Sequence, residues 1–381
     1  MNIQILLVVL VGILSYANGA NDISKGIATL VGSGVSDFKR ALLWGTLWTT
    51  AGTLVAARLS TAMMKTFAAG MTLSNIPIMV VMLSVVTGAS MWVWFATRTG
   101  LPVSTTHAIT GSMIGVIIFS VGFTPSAPLP SLVMKIITPL LLSPIVAFAL
   151  AFAANRLFRR RLEKLNASCV CMTKQPLALV PVFAIQTTSN NTLVQGMSMQ
   201  DVPAQLTPIH GTVEECSTSS SVVAKLRILD TAHYVSAGLT SFARGLNDAP
   251  KIIPFLLLAP AINVIPLQGY IYIGIAMALG GLVSGLRVIR TLSERITSLS
   301  HTDGFLANVI TSSLVGLGAW FGLPMSTTHV STSAIVGAGV SQKKTVSRKV
   351  IREIATAWIV TLPMSAFIAV ISAIVLQYFI S

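Results

Sequence analysis

Long apolar runs, separated by short polar stretches, dominate the pattern of residues along this chain. A helix that crosses a bilayer needs about 20 mainly apolar residues. Apolar and polar residues do not alternate in these runs with the period of two that a membrane β-barrel requires. The pattern therefore predicts an all-α polytopic membrane protein. The runs near or above spanning length are Ile3 to Ala17, Ala41 to Ala57, Ile76 to Ala96, Leu132 to Ala154, Ile271 to Leu286 and Ile354 to Ile380.

The composition supports the same class of protein. Hydrophobic residues make up 53% of the 381-residue chain and charged residues only 9%, whereas a soluble domain has about 25% charged residues. The formal net charge is +14, but the basic residues lie at the ends of apolar runs and in one loop, where cytoplasmic bias places them. We therefore expect contact with membrane lipid and no binding to nucleic acid.

A polar stretch in the middle of the chain separates two apolar halves. It opens with the letters RLFRRRLEK and continues with many Ser, Thr, Asn, Gln and Pro residues, so it cannot span a bilayer. Short β-like runs such as LALVPVFAIQ indicate a small folded insertion. We predict a first membrane repeat over 1–157, a cytosolic central loop over 158–227 and a second, inverted membrane repeat over 228–381.

All the cysteines lie in this central loop, at Cys169, Cys171 and Cys216. A cytosolic location predicts that they are reduced thiols. A metal site would need a fourth ligand, and the only nearby histidine is His210.

Two short polar motifs occur twice, once in each half. GLPVSTTH begins at Gly100 and GLPMSTTH begins at Gly322, with seven of eight residues identical. GANDISKG begins at Gly19, and its partner GLNDAPKI begins at Gly245. Because both motifs recur in the same order and at nearly the same offset, the chain contains an internal duplication.

The basic residues also predict the orientation of the helices. If the central loop is cytoplasmic by the positive-inside rule, about five crossings on each side place both termini outside the plasma membrane. Equivalent loops of the two halves then lie on opposite sides of the membrane, basic where they are cytoplasmic and uncharged at the extracellular links 123–130 and 260–269. An odd number of crossings per repeat requires this reversal. Inverted repeats, with broken or re-entrant half-helices at a shared substrate site, are typical of secondary transporters. Solute channels are also built from inverted repeats.

Two acidic residues lie within apolar segments, where ionisable side chains are costly and usually functional. Asp22 follows Asn21 in one half, and Asp248 follows Asn247 in the other. On a broken helix, these side chains and freed backbone carbonyls offer the oxygen ligands that a hard cation prefers. The pattern allows a bound Na⁺ at Asp22 and Asp248. The alternative is a buried aspartate that caps a helical turn.

The octapeptide predicts a binding site for an anion. Gly-Leu-Pro ends any preceding helix, and Ser104 or Thr105 can then cap the helix that follows. The unpaired N–H groups and the positive dipole at a helix N-terminus bind tetrahedral oxyanions. Each half then contributes one cradle to a single anion, and an ordinary helix cap is the alternative. The cradle residues are Ser104, Thr105, Thr106, Ser326, Thr327 and Thr328.

The octapeptides end at His107 and His329. A serine hydrolase needs a carboxylate that orients its histidine, and each of these histidines instead follows its serine on the same segment. We interpret both as packing or supporting residues. The protein is therefore predicted not to be an enzyme and to need no cofactor.

The duplicated motifs G-x-N-D and G-L-P-x-S-T-T-H, on either side of a polar loop, resemble those of the inorganic phosphate transporter family. The resemblance covers both halves and excludes the loop. It implies a phosphate symporter with an inverted-repeat fold, H⁺ or Na⁺ as the coupling ion, and a homodimer. By position, it implies phosphate contact at Ser104, Thr105, Thr106, Ser326, Thr327 and Thr328, and cation contact at Asn21, Asp22, Asn247 and Asp248.

The sequence departs from the pattern of that family at the presumed cation positions. Sodium-coupled members usually read G-A-N-D-V-A-N, and here the second Asn is replaced by Lys25 in one half and Lys251 in the other. Arg244 directly precedes Gly245, at a position where a histidine is common in the family. These charged residues favour weaker Na⁺ dependence, with H⁺ as the candidate driving ion. Alternatively, both lysines contact the anion, and Na⁺ is bound by the oxygen atoms of the Asn-Asp pairs.

Two further alternatives stay open at this point. A cradle of hydroxyls and amides does not by itself distinguish phosphate from sulfate or another tetrahedral oxyanion. A receptor or scaffold could also reuse the fold without transport, although such a protein could lose one half-site, and both are present here.

Overall fold

The structure is a computed structural model, and its helices fall into two sets, one before and one after a β-unit in the sequence. It describes residues 3–72, 74–122, 129–174, 179–187, 193–201, 206–214, 216, 222–259 and 264–380. The chain forms two compact units, of which one comprises Met1–Arg159 with Ala232–Ser381 and the other comprises Arg160–Thr231.

The helices before the β-unit end and restart at two places, one at each of the duplicated motifs. The bounds are α1 Ile3–Asp22, α2 Ser24–Gly32, α3 Phe38–Leu59, α4 Thr61–Met71, α5 Ile78–Thr99, α6 Thr105–Val121 and α7 Leu129–Asn166. At the first G-x-N-D motif only Ile23 separates α1 from α2, and it keeps helical backbone angles. At the first octapeptide the chain leaves helical geometry between α5 and α6.

The helices after the β-unit repeat these interruptions. The bounds are α8 Ile228–Ile252, α9 Pro254–Leu257, α10 Pro266–Ser284, α11 Leu286–Glu294, α12 His301–Trp320, α13 Thr327–Ser341 and α14 Arg348–Ile380. The second G-x-N-D motif lies near the end of α8, and the second octapeptide lies between α12 and α13.

Among the described residues, five segments are long and apolar enough to cross a membrane, which agrees with the prediction of a helical membrane protein. They are Ile3–Gly32, Ile78–Thr99, Met134–Asn166, Pro266–Ser284 and Arg348–Phe379. The helix α7 continues to Asn166, so the polar stretch predicted as a loop begins inside this helix.

The two sets of membrane helices pack against each other. Helix α1 packs along α10, and α14 packs along α5 and α6. Small residues allow the close approach of α1 and α10, because a Cβ atom on Gly19 would overlap the Met277 carbonyl and one on Gly280 would overlap the Tyr16 carbonyl. The main apolar core lies between these helices and includes Leu14, Val86, Met113 and Ile253. The core thus holds the broken helices of both halves in one unit.

The described part of the second unit contains five strands, in line with the β-like runs of the sequence. They are β1 Ser168–Lys174, β2 Leu179–Thr187, β3 Leu193–Asp201, β4 Leu206–Thr212 and β5 Val222–Arg227. Strand β1 lies between β4 and β5 in an antiparallel sheet, and β2 pairs with β3. The run LALVPVFAIQ falls largely on β2.

The cysteines of this unit differ from the expectation of three reduced thiols. A disulfide joins Cys171 to Cys216, and Cys169 is free and buried. Turns after β4 bring Cys216 within 5.9 Å of Cys171, measured between Cα atoms, which is within the normal range for a disulfide. The two cysteines are 45 residues apart in the sequence, so no local pattern predicts that they lie close together.

Candidate functional site

The two octapeptides adopt the same local structure. Gly100 and Gly322 follow α5 and α12 with φ angles of 75° and 71°, a left-handed conformation that glycine adopts without strain. Ser104 and Ser326 then have extended backbones, and each Oγ accepts a hydrogen bond of 3.2 Å from the backbone N–H three residues later. Both serines are therefore N-caps, which decides between Ser104 and Thr105 as the capping residue.

The N-termini of α6 and α13 meet through reciprocal hydrogen bonds. Thr106 Oγ1 donates to the Met325 carbonyl at 3.3 Å, and Thr328 Oγ1 donates to the Val103 carbonyl at 2.6 Å. The rings of His107 and His329 also contact each other, with centroids 4.3 Å apart. Each contact joins equivalent positions of the two repeats, as expected around a local two-fold axis. Two positive helix ends therefore converge on one point.

The two asparagines of the G-x-N-D motifs brace these N-termini. Asn21 donates to the Leu101 carbonyl at 3.0 Å and accepts from the Val103 N–H at 3.2 Å. Asn247 donates to the Met325 carbonyl at 2.9 Å and accepts from the Met325 N–H at 3.3 Å. Each amide satisfies donor and acceptor groups of the non-helical backbone in its own half. This bracing explains how irregular backbone is tolerated among apolar helices.

The ammonium group of Lys25 sits among three oxygen atoms. Its Nζ donates to Asp22 Oδ1 at 2.6 Å, to the Asn21 carbonyl at 2.6 Å and to Asn21 Oδ1 at 2.8 Å. Lys25 is fully enclosed, with 1% of its surface exposed. The side chain therefore occupies the oxygen-ligand set that the sequence suggested for a cation.

Lys251 has a corresponding set of three oxygen atoms, but one of them comes from the other half. Its Nζ donates to Thr106 Oγ1 at 2.5 Å, to the Met325 carbonyl at 3.0 Å and to Asp248 Oδ1 at 3.3 Å. This lysine therefore reaches the octapeptide of the first half. It links the cation positions directly to the predicted anion cradle.

Asn18 connects the two aspartates and was not identified from the sequence. Its Nδ2 donates to Asp22 Oδ2 at 2.9 Å and to Asp248 Oδ2 at 3.2 Å. Its Oδ1 accepts from Arg244 at 3.3 Å, and the Arg244 guanidinium lies 3.7 Å from Asp248. The sequence contained one indication of its role. Asn18 directly precedes the first G-x-N-D motif, at the position that Arg244 occupies before the second motif.

The two cradles differ in one contact. Thr105 Oγ1 donates to Asp22 Oδ2 at 3.1 Å, whereas no corresponding bond joins Thr327 to Asp248 within the described parts of the chain. Asp248 instead contacts Arg244 and Asn18. The duplicated site is thus asymmetric in its charges.

The structure brings all the predicted site residues together and encloses them. None has more than 4% of its surface exposed. Ionised, the cluster contains three cationic side chains, Lys25, Lys251 and Arg244, against two carboxylates, Asp22 and Asp248. One positive charge is therefore uncompensated, which favours an anion at the converging helix ends.

A cavity of about 500 Å³ lies next to this cluster. Ala20 and Thr97 form part of its wall, and Thr97 Oγ1 accepts a hydrogen bond of 3.1 Å from Asn21. Arg98, Arg287 and Arg290 also line it. Clustered positive charge at the mouth of a site raises the local concentration of anions.

Fold and site together define a helical membrane protein with a buried, duplicated polar site at which two helix N-termini meet. The sequence matches the profile of the phosphate transporter family over residues 18–369. The chain therefore belongs to the phosphate transporter family. This confirms the resemblance that the motifs indicated, and it agrees with the prediction that the protein is a transporter and not an enzyme.

Individual relatives match along almost the whole chain. A protein of Pyrococcus abyssi named as a candidate phosphate permease is 28% identical, over 96% of each chain. A chloroplastic inorganic phosphate transporter of Arabidopsis thaliana is 26% identical, over 94% of this chain and 69% of its own. A probable low-affinity inorganic phosphate transporter of Bacillus subtilis is 24% identical, over 99% of each chain.

A solved structure shares the fold. It is described as the sodium-dependent phosphate transporter, and it superposes with a TM-score of 0.72 over 99% of this chain and 100% of its own. The two sequences are 20% identical, so the likeness concerns the fold.

Proposed function

We propose that this protein imports inorganic phosphate across the plasma membrane as a secondary active transporter, driven by a cation gradient. Phosphate binds between the N-termini of α6 and α13, where two inverted repeats meet, and the protein works as a homodimer. The observation that carries this proposal is the reciprocal pair of threonine bonds, Thr106 to Met325 and Thr328 to Val103. These bonds place two helix N-termini at one point, and opening them frees two hydroxyl donors for an anion.

Phosphate fits this site better than sulfate because the site contains acceptors as well as donors. The carboxylates of Asp22 and Asp248 lie beside the cradle. Protonated phosphate has hydroxyl groups that donate to such acceptors, whereas sulfate has none at neutral pH. A site built to accept a hydrogen bond from its substrate discriminates strongly against an analogue that lacks the donor. A monovalent anion also matches the single uncompensated positive charge of the cluster.

The lysine geometry favours a proton as the coupling ion. Each ammonium group already contacts three oxygen atoms, as a bound cation would, and its charge repels Na⁺ from the same carboxylates. A buried Asp–Lys pair can instead exchange a proton when the site opens to water. The competing arrangement has both lysines turned towards phosphate, with Na⁺ held by the Asn-Asp oxygens.

Transport requires the enclosed site to open towards each side in turn. Arg98, Arg287 and Arg290 line the cavity next to the site, and we predict all three to be cytoplasmic. This cavity is therefore the proposed path by which phosphate leaves for the cytosol.

Uptake of radiolabelled phosphate into proteoliposomes tests the proposal, with Na⁺ and pH gradients imposed separately and sulfate as a competitor. We expect uptake that responds to the pH gradient, responds weakly to Na⁺ and is little affected by excess sulfate. Strong inhibition by sulfate together with uptake of labelled sulfate would identify a transporter of another oxyanion. Phosphate binding without uptake by folded protein would favour a receptor.

A further inference from the structure

The three cysteines of the β-unit form a compact cluster of sulfur atoms. The Sγ atoms of Cys169, Cys171 and Cys216 all lie within 4.8 Å of one another, and those of Cys169 and Cys171 are 3.8 Å apart. The three residues are 1%, 4% and 1% exposed. No part of the proposed transport site involves them, because they belong to the separate unit Arg160–Thr231.

Backbone structure holds this cluster in place. Cys169 and Cys171 alternate along β1, so both side chains lie on the same face of the sheet. Strand β1 is fixed on both sides, by β4 and β5. The segment after β4 is anchored by a hydrogen bond of 2.9 Å from the Val213 N–H to the Ala167 carbonyl, and it brings Cys216 over the same face. The backbone therefore brings the three sulfur atoms together.

This arrangement suits a soft metal ion with three sulfur ligands. Metal–thiolate bonds of about 2.3 Å place three sulfurs of a trigonal or tetrahedral site about 4 Å apart. The Sγ atoms of Cys169 and Cys171 are already 3.8 Å apart, whereas those of Cys171 and Cys216 are bonded in the disulfide and separate when it is reduced. Zn²⁺ almost always takes four ligands in structural sites. His210 pairs with Val170 across the ladder, so it lies on the opposite face and does not complete the set. Within the described residues the cluster has only its three sulfur ligands.

We propose that the reduced β-unit binds one Cu⁺ ion through the thiolates of Cys169, Cys171 and Cys216. Soft thiolate ligands select Cu⁺ along with Zn²⁺ and Fe–S clusters, and a Cu⁺ ion held by three sulfurs needs no histidine. The Cys171–Cys216 disulfide must first be reduced. Two molecules of a small thiol supply two electrons and two protons, forming one small-molecule disulfide and two protein thiols. Binding of Cu⁺ then displaces the thiol protons into solution.

Anaerobic titration of the reduced, full-length protein in detergent tests the site, with Cu⁺ supplied as its complex with a coloured chelator. We expect the wild type to withdraw one equivalent of Cu⁺, and Cys169→Ser, Cys171→Ser and Cys216→Ser each to lose this stoichiometric binding. Met172→Leu is the matched control, because it removes a sulfur from the neighbouring position on the opposite face of β1 with little change in volume. This control should bind like the wild type.

Cys169→Ser is the decisive variant, since a cluster that only forms the Cys171–Cys216 disulfide does not need Cys169. Retained Cu⁺ binding in this variant, or no withdrawal of Cu⁺ by the reduced wild type, overturns the proposal. X-ray absorption by the wild-type Cu⁺ protein provides a measurement that does not depend on the variants folding. We expect three sulfur neighbours, and nitrogen or oxygen neighbours in their place would contradict the assignment.

Discussion

Asn18 and Arg244 occupy equivalent positions in the two repeats, and their side chains are hydrogen-bonded to each other at 3.3 Å. One half thus supplies a neutral amide and the other a cation at the same point of the duplicated frame. Asn18 also bridges Asp22 and Asp248, so this single contact joins both carboxylates to the guanidinium. The asymmetry gives the site its surplus positive charge.

Removing the guanidinium charge should therefore weaken phosphate binding. For Arg244→Gln we expect an apparent affinity about 10- to 100-fold lower, because a charge-assisted hydrogen bond contributes about 1.5–3 kcal/mol. The measurement is the concentration dependence of uptake in proteoliposomes. Arg348→Gln, which changes an exposed arginine at the start of α14, should leave the affinity unaltered. Equal affinities in the two variants would contradict a role for the surplus charge.

The shared cradle predicts that both octapeptides contribute to phosphate binding. Ser104→Ala/Thr105→Ala and Ser326→Ala/Thr327→Ala should each weaken phosphate binding strongly, since each lost bond to a charged ligand contributes roughly 1.5–3 kcal/mol. Ser120→Ala serves as the control, because that hydroxyl bonds at the far end of α6. Normal affinity in both double variants, at normal expression, would exclude a shared site.

The lysines predict the coupling ion. In Lys25→Asn/Lys251→Asn we expect uptake to gain Na⁺ dependence and to lose its response to a pH gradient, because removal of the ammonium groups frees six oxygen contacts for a cation. Lys39→Asn, at an exposed position of α3, should behave like the wild type. Steep Na⁺ dependence of the wild type without any pH response would show that the lysines are phosphate ligands or structural residues.

The proposed topology places the central unit in the cytosol. The native cysteines are buried and should not react, so new cysteines are needed at exposed positions. With an impermeant maleimide on intact cells, we expect Leu267→Cys to be labelled and Arg161→Cys to be labelled only after permeabilisation. The wild type is the control for background labelling. The reverse pattern would invert the topology of the whole chain.

Close packing of α1 on α10 predicts the stability of one glycine variant. Gly280→Ala should lower the free energy of unfolding by about 1–3 kcal/mol, since the added Cβ overlaps the Tyr16 carbonyl and rigid backbone cannot yield easily. Thermal unfolding in detergent measures the effect. In Gly316→Ala the nearest atom is 3.7 Å away, so this control should unfold at the wild-type temperature or above it.

Local features of the sequence determined the helices and their breaks. Five of the six apolar runs fall on segments that are long and apolar enough to cross a membrane, and the run Ala41 to Ala57 does not. This agreement arises because burial in lipid depends on the composition of each segment alone. Gly100 and Gly322, with the prolines that follow, predicted where α5 and α12 end, and Ser104 was one of two candidates for the cap of α6. The duplicated motifs also identified the family. Each of these inferences depends on residues that are close together in the chain.

Only the tertiary structure decided which side chains meet. The bond from Lys251 to Thr106, the bridge of Asn18 between two aspartates and the bond from Thr328 to the Val103 carbonyl all join residues far apart in sequence. The disulfide between Cys171 and Cys216 likewise depends on the pairing of β1 with β4. Such contacts follow from the packing of whole helices and strands, which no local pattern encodes. The sequence therefore determined what the two half-sites contain, and packing decided how their charges are combined.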